Sequence, residues 1–159
     1  MTLGADEQDY AFRDSTEIAL DFIRLRATEL CTWLGTPGMQ PALRDQSRDV
    51  TVRMLPTPFL RRQPSCGAAI LLSLLKLHLG CRIKDKVATT GIITLTGYVM
   101  KIGGVIVKVR AALKHGAEIV IVPGANYQEA KEHLTADELS KVRSAVHVVQ
   151  LLEHAIEGK

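Results

Sequence analysis

Two side chains in this sequence have the type and setting for covalent chemistry. One is Ser65, in the stretch Pro64-Ser65-Cys66-Gly67 that feeds a helix apolar nearly all round. The other is Lys108, in the stretch Lys101 to Leu113. Pro64 sets the backbone before the serine, and Gly67 permits a close turn after it. Such a turn aims the hydroxyl outward and groups the next backbone N–H donors at the positive end of the helix. A developing oxyanion could be held there. A serine just ahead of a helix is also the ordinary N-cap residue, and Ser65 alone reads that way.

Small residues stand near Lys108 at helical spacing: Gly104, Ala111 and Ala112. They allow other parts of the chain to wall the lysine in. Spacing alone favours a lysine snorkelling at the edge of a core helix. Full burial of the ammonium would lower its pKa by up to ~3–5 units, bringing it into reach of general-base work. Serine–lysine pairs are a variant of triad chemistry.

The remaining candidates offer less. His78, His115, His133, His147 and His154 are scattered, with no H-x-x-x-H pair, and His147 reads as a core histidine in an apolar strand. Gly103-Gly104 completes neither phosphate-loop pattern, so no nucleotide site is expected. Cys31, Cys66 and Cys81 are odd in number and lack C-x-x-C spacing, which fits neither a disulfide framework nor a zinc site. No metal and no cofactor are expected. A reducing, intracellular compartment is the simpler reading.

The chain has 159 residues, 47% hydrophobic and 23% charged, a globular composition suited to one domain. Its net charge of +3 is small and its basic residues are dispersed, which argues against a nucleic-acid partner. The acidic start is no signal peptide, and the apolar run Gly67 to Leu79 is too short to span a bilayer, so no membrane role is expected.

These groups need elements to position them. Residues 1–9 read as a polar lead-in and 10–159 as one domain. The three- and four-residue apolar spacing predicts a helix from Tyr10 to Leu34, stopped by Gly35. A loop to Ser47 follows, then a half-buried strand from Arg48 to Pro56 by its alternation. The helix after Ser65 ends near Gly80. Short strands are expected at Lys86–Thr89, Ile92–Leu95 and Tyr98–Met100, and a helix from Gly103 to Gly116 carries Lys108. Glu118 to Val122 reads as a buried strand, and Asn126 as the N-cap of a helix through His133. Thr135 and Glu138 form a capping-box pattern. Ala145–Val149 reads as a strand and Gln150–Ile156 as a final helix. The irregular interleaving indicates an α+β fold or mixed α/β.

The segment Val87-Ala88-Thr89-Thr90-Gly91-Ile92-Ile93-Thr94-Leu95-Thr96-Gly97 resembles V-A-M-T-G-E-I-T-L-x-G of the Lon protease proteolytic domain. Ile102-Gly103-Gly104-Val105-Ile106-Val107-Lys108 resembles its I-G-G-L-K-E-K, and Pro64-Ser65-Cys66-Gly67 its P-S-A-G. Arg48-Asp49-Val50 resembles its R-D-I, Ile119 to Pro123 its late strand, and Ala145 to Val148 its final strand. The segments keep the family's order over about residues 10–157.

The resemblance implies a Lon proteolytic-domain fold: α+β, mixed small sheets packed with helices, ribosomal S5 domain 2-like. It implies a serine endopeptidase in which Ser65 is the nucleophile and Lys108 its base, with Thr90 helping to orient the lysine and the Cys66 backbone as an oxyanion donor. It also implies ATP-dependent degradation of proteins or peptides for quality control, in a homo-oligomeric ring. A AAA+ ATPase module, fused or separate, would supply ATP and Mg. The compartment would be cytoplasm or an organelle matrix, mitochondrial or peroxisomal.

The chain departs from the family pattern near the serine. Arg61-Arg62-Gln63 stands where K-D-G is usual, Ile92 replaces the glutamate of T-G-E-I, and Ile106 and Val107 replace a lysine and a glutamate. Thr51 and Arg53 replace histidines common in the family. The dyad is kept while its polar setting is thinned, which leaves a second reading open: a Lon-fold module that serves in ring assembly or partner binding without cutting.

Overall fold

The computed structural model describes residues 6–47, 49–52 and 65–159. Its centre is a three-stranded parallel sheet in the order β1-β4-β5: β1 is Val87–Thr89, β4 is Ile119–Pro123 and β5 is Val142–Ala145. Strands β2 (Ile92–Ile93) and β3 (Val99–Met100) form a separate antiparallel pair. This is the mixed α+β architecture expected of a Lon proteolytic domain.

The middle strand explains why its sequence is a continuous apolar run. Ile121 faces a core made with α1 (Asp6–Leu25), α4 (Gly67–Leu79) and α8 (Val148–Ala155). Val120 and Val122 face a second core with α5 (Val105–Lys114) and α6 (Tyr127–His133). A strand covered on both faces needs apolar residues at every position. In α4, Ile70, Leu71, Leu72, Leu74 and Leu75 are all buried, and fully burying each such side chain contributes roughly 1.5–3 kcal/mol.

Helix ends follow the sequence closely. Gly35 and Gly80 adopt left-handed backbone (φ 72° and 64°) and close α2 (Ala27–Leu34) and α4. The capping box of Thr135 and Glu138 starts α7 (Ala136–Ser140).

Other elements differ from expectation. The first helix starts at Asp6, and its predicted single span divides at Arg26 into α1 and α2. The Leu30 amide still donates to the Arg26 carbonyl at 2.9 Å, so the division hardly interrupts the ladder. A short helix, α3 (Gln40–Arg44), occupies part of the predicted loop, with Pro41 in its first turn. Asp49 to Val52 form no strand. Val50 and Val52 still pack on the first core, so their alternation reflects burial without a strand partner among the described residues. The rest of that predicted strand, Arg48 and 53–56, lies outside the described residues, as do Arg61, Arg62, Gln63 and Pro64.

The last strand lies earlier than expected, at Val142–Ala145, and α8 begins at Val148. Pairing with β4 decides this: Val120 to Pro123 align with Val142 to Ala145. His147 is therefore no core strand residue. Its Nε2 lies 3.1 Å from the Thr96 carbonyl, and its Nδ1 accepts from the Val149 amide at 3.4 Å, capping α8.

Candidate active site

Ser65 and Cys66 form the turn ahead of α4, and Cys66 occupies the N-cap position with no side-chain cap bond. Ser65 thus stands one residue before the cap. Its hydroxyl is bonded elsewhere: Lys108 Nζ lies 3.0 Å from Ser65 Oγ. The two residues are 43 apart in sequence, and both are half-buried.

Three hydrogen bonds tie the Ser65 turn to the connection between β1 and β2. The Gly91 amide donates to the Ser65 carbonyl at 2.9 Å, and the Thr90 hydroxyl donates to the same carbonyl at 3.2 Å. The Ala68 amide donates to the Gly91 carbonyl at 3.1 Å. That last bond satisfies one of the free amides of the first helical turn and removes it from any oxyanion donor set. Thr90 is itself held by β4, since its amide donates to the Ile121 carbonyl at 3.1 Å. The bond recorded for the Thr90 hydroxyl thus goes to the serine's backbone, where the resemblance implied a role toward the lysine.

Gly67 is needed for a different reason than a tight turn. It is the first residue of α4, and a Cβ there would sit 3.2 Å from the Ile93 amide nitrogen and 3.4 Å from the Gly91 carbonyl. The absence of a side chain here lets the helix start sit against Ile93 and Gly91 without either having to give by a few tenths of an ångström.

Lys108 projects from the end of the first turn of α5. Gly104, at left-handed φ 65°, is the N-cap of this helix, and its carbonyl accepts the Lys108 amide at 3.1 Å. Val105 and Val109 anchor the helix in the second core, while Val107 is 73% exposed. Arg110 fastens its outer face: Nε lies 3.0 Å from Glu138 Oε1, and Nη2 donates to the His133 carbonyl at 3.0 Å. The Arg110 guanidinium, with the Thr135 amide, holds the Glu138 carboxyl below the usual carboxylate range. Burial pushes the Cys81 thiol up, away from this site.

Sequence reasoning placed Asn126 at a helix cap. It does occupy the N-cap position of α6, but its side chain is fully buried (0% exposed) and makes no cap bond. Its Oδ1 accepts from the Ile102 amide and its Nδ2 donates to the Ile102 carbonyl, both at 2.9 Å. A polar side chain following a buried strand was the available signal, since such a residue must find partners inside the fold.

The family description "Lon protease (S16) C-terminal proteolytic domain" matches residues 8–158. The chain belongs to that family. This Lon domain is 31% identical over 148 residues to the peroxisomal Lon protease homolog 2 of Oryza sativa subsp. indica, covering 92% of this chain and 16% of that protein. It is 28% identical over 162 positions to the Lon protease of Rhizobium meliloti (strain 1021), covering 98% of this chain and 18% of that protein. It is 40% identical over 98 residues to Lon protease 1 of Herpetosiphon aurantiacus, covering 60% of this chain and 12% of that protein. The Lon domain thus spans only a small share of the relatives it matches. Among its described residues, no helix is long and apolar enough to cross a membrane.

Proposed function

We propose that this Lon domain is a serine peptidase that cleaves peptide bonds with Ser65 and Lys108. The 3.0 Å contact between Lys108 Nζ and Ser65 Oγ carries the reading. It lies within the range in which a base can take a hydroxyl proton. Neutral Lys108 accepts that proton as Ser65 Oγ attacks the scissile carbonyl. The backbone N–H groups of Ser65 and Cys66 stabilise the oxyanion, a role worth roughly 2.7–4 kcal/mol per donor in other hydrolases. The lysine then returns the proton to the leaving amine. Water, deprotonated by the same lysine, attacks the acyl-enzyme, the ester bond to Ser65 Oγ breaks, and the lysine returns that proton to Oγ. Thr90 supports this by fixing the serine's backbone.

Protein substrates, assembly into a ring and coupling to a AAA+ ATPase module, with its ATP and Mg, belong to the same reading. They rest on family membership. Cytoplasm or an organelle matrix is the proposed compartment, since the relatives include a plant peroxisomal protein and bacterial ones.

Peptide cleavage by the wild type, compared with Ser65→Ala and Lys108→Ala, tests the proposal. Cleavage that persists in both variants overturns it. The departures at Arg61-Arg62-Gln63 and Ile92 favour a second reading, a non-cutting module for ring assembly or partner binding. A serine-directed covalent probe separates the two: selective labelling of Ser65 supports the peptidase, and no labelling in an assembled ring supports the module.

A further inference from the structure

We infer that Asn126 is a positioning residue that sets where Lys108 stands relative to Ser65. The inference rests on the peptidase reading above and extends it to a residue outside the pair. Asn126 and Ser15 are the buried polar side chains of the described core, and Asn126 is fully enclosed. Its amide group grips both backbone polar atoms of Ile102, as a neighbouring strand would. The Nδ2 group also reaches Glu129 Oε2 at 3.3 Å.

Ile102 is the last residue before Gly103-Gly104, the turn that launches α5. The Gly104 carbonyl then accepts the Lys108 amide. The clamp therefore acts on the hinge from which the lysine-bearing helix departs. Its other end is equally fixed. Asn126 ends the short 3-10 turn Gly124–Asn126 that follows β4 directly. Strand β4 holds Thr90 through the Ile121 carbonyl, and Thr90 holds the Ser65 carbonyl. One rigid segment, Ile119 to Asn126, thus grips the serine's side through Thr90 and the lysine's side through Ile102. Loss of the Asn126 amide releases only the second grip.

The near-isosteric Asn126→Asp keeps an acceptor for the Ile102 amide. It sets a carboxylate oxygen against the Ile102 carbonyl and Glu129. Asn126→Ala removes both bonds. A displacement of about 1 Å can lower the rate by about 10²-fold. The expected result is a fall of that order in kcat with KM little changed, together with a shifted pH–rate profile. The titration of the Lys108 side chain, followed by 13Cε NMR in the full chain, is expected to move in both variants while thermal unfolding stays cooperative. Wild-type pH–rate and Lys108 titration curves in a folded variant overturn the inference. Failure of both variants to fold also overturns it, because Asn126 is then part of the scaffold. The NMR readout is independent of turnover. A shifted Lys108 titration in a chain whose wild type does not cleave peptides retains Asn126 as the positioning residue and rejects the peptidase reading alone.

Discussion

Gly67 lies against Ile93 so closely that an added Cβ would stand 3.2 Å from the Ile93 amide nitrogen. That contact seats the start of α4, and with it the Ser65 turn, on the β1–β2 connection. Gly67→Ala improves helix propensity by less than the ~1 kcal/mol of a helix interior, because Gly67 is the first helical residue, and it pushes the helix start away from Ile93. The two effects largely offset each other, so the melting temperature is expected to move by only a few degrees. Peptidase kcat is expected to fall about tenfold, because the displacement falls on the residue that carries the serine's turn. Melting curves and steady-state kinetics on one preparation check both halves.

Thr90→Val keeps the shape of the side chain and removes its bond to the Ser65 carbonyl. That carbonyl still accepts the Gly91 amide at 2.9 Å. The expected loss of stability is about 1 kcal/mol, typical of one hydrogen bond, measured by urea unfolding. A loss of activity well beyond that of stability would assign Thr90 to orientation of the nucleophile. Equal, small losses would assign it to the scaffold alone.

The proposed base must be neutral to take a proton. Peptidase kcat/KM should therefore rise with pH as Lys108 loses its ammonium proton, then level off. Lys108→Arg retains a positive charge but cannot deprotonate in the accessible range. Its activity is expected to fall by about 10³-fold or more at every pH. An arginine variant with a wild-type rate at any pH would remove Lys108 from the role of base.

Arg110 lowers the pKa of Glu138 on the outer side of α5. A depressed carboxyl contributes stability above its unfolded pKa and loses that contribution as pH falls through the native value. Arg110→Leu should bring Glu138 back toward the ordinary carboxylate range and reduce its contribution at mildly acid pH. A carboxyl 13C titration of Glu138 reads this directly, and an unchanged curve would contradict the assignment of Arg110 as the main cause.

How much of this was legible in the sequence depended on how local each feature is. Gly35, Gly80 and the Thr135–Glu138 box act within a few residues, and each ends or starts its helix as read. The final strand lies earlier than its pattern predicts because Val142-Arg143-Ser144-Ala145 carries little strand character of its own; its register against Val120–Pro123 selects it. Val50 and Val52 show the opposite case, with a strand-like pattern and burial but no strand. At the site, residue type marked Ser65 and Lys108, but the spacing of either one favoured a bland role. Their approach across 43 residues came into view through resemblance to a family, and the 3.0 Å contact is a property of the fold. Asn126 holds the N-cap position that its local sequence indicates, while its side chain bonds far from the helix. Its actual partner, Ile102, is 24 residues away.

The strand that holds both halves of the site comes after them in the chain. During synthesis Ser65 and Lys108 leave the ribosome before Ile119–Asn126 does. Until that segment emerges, Thr90 lacks the Ile121 carbonyl and Ile102 lacks its clamp. A nascent chain of that length therefore carries Ser65 and Lys108 without the hydrogen bonds by which β4 and Asn126 fix the segments around them. The order of residues along the chain delays assembly of the pair until most of the domain has been made. If the pair cuts peptides as proposed, an unfinished polypeptide is thereby latent toward itself and its neighbours.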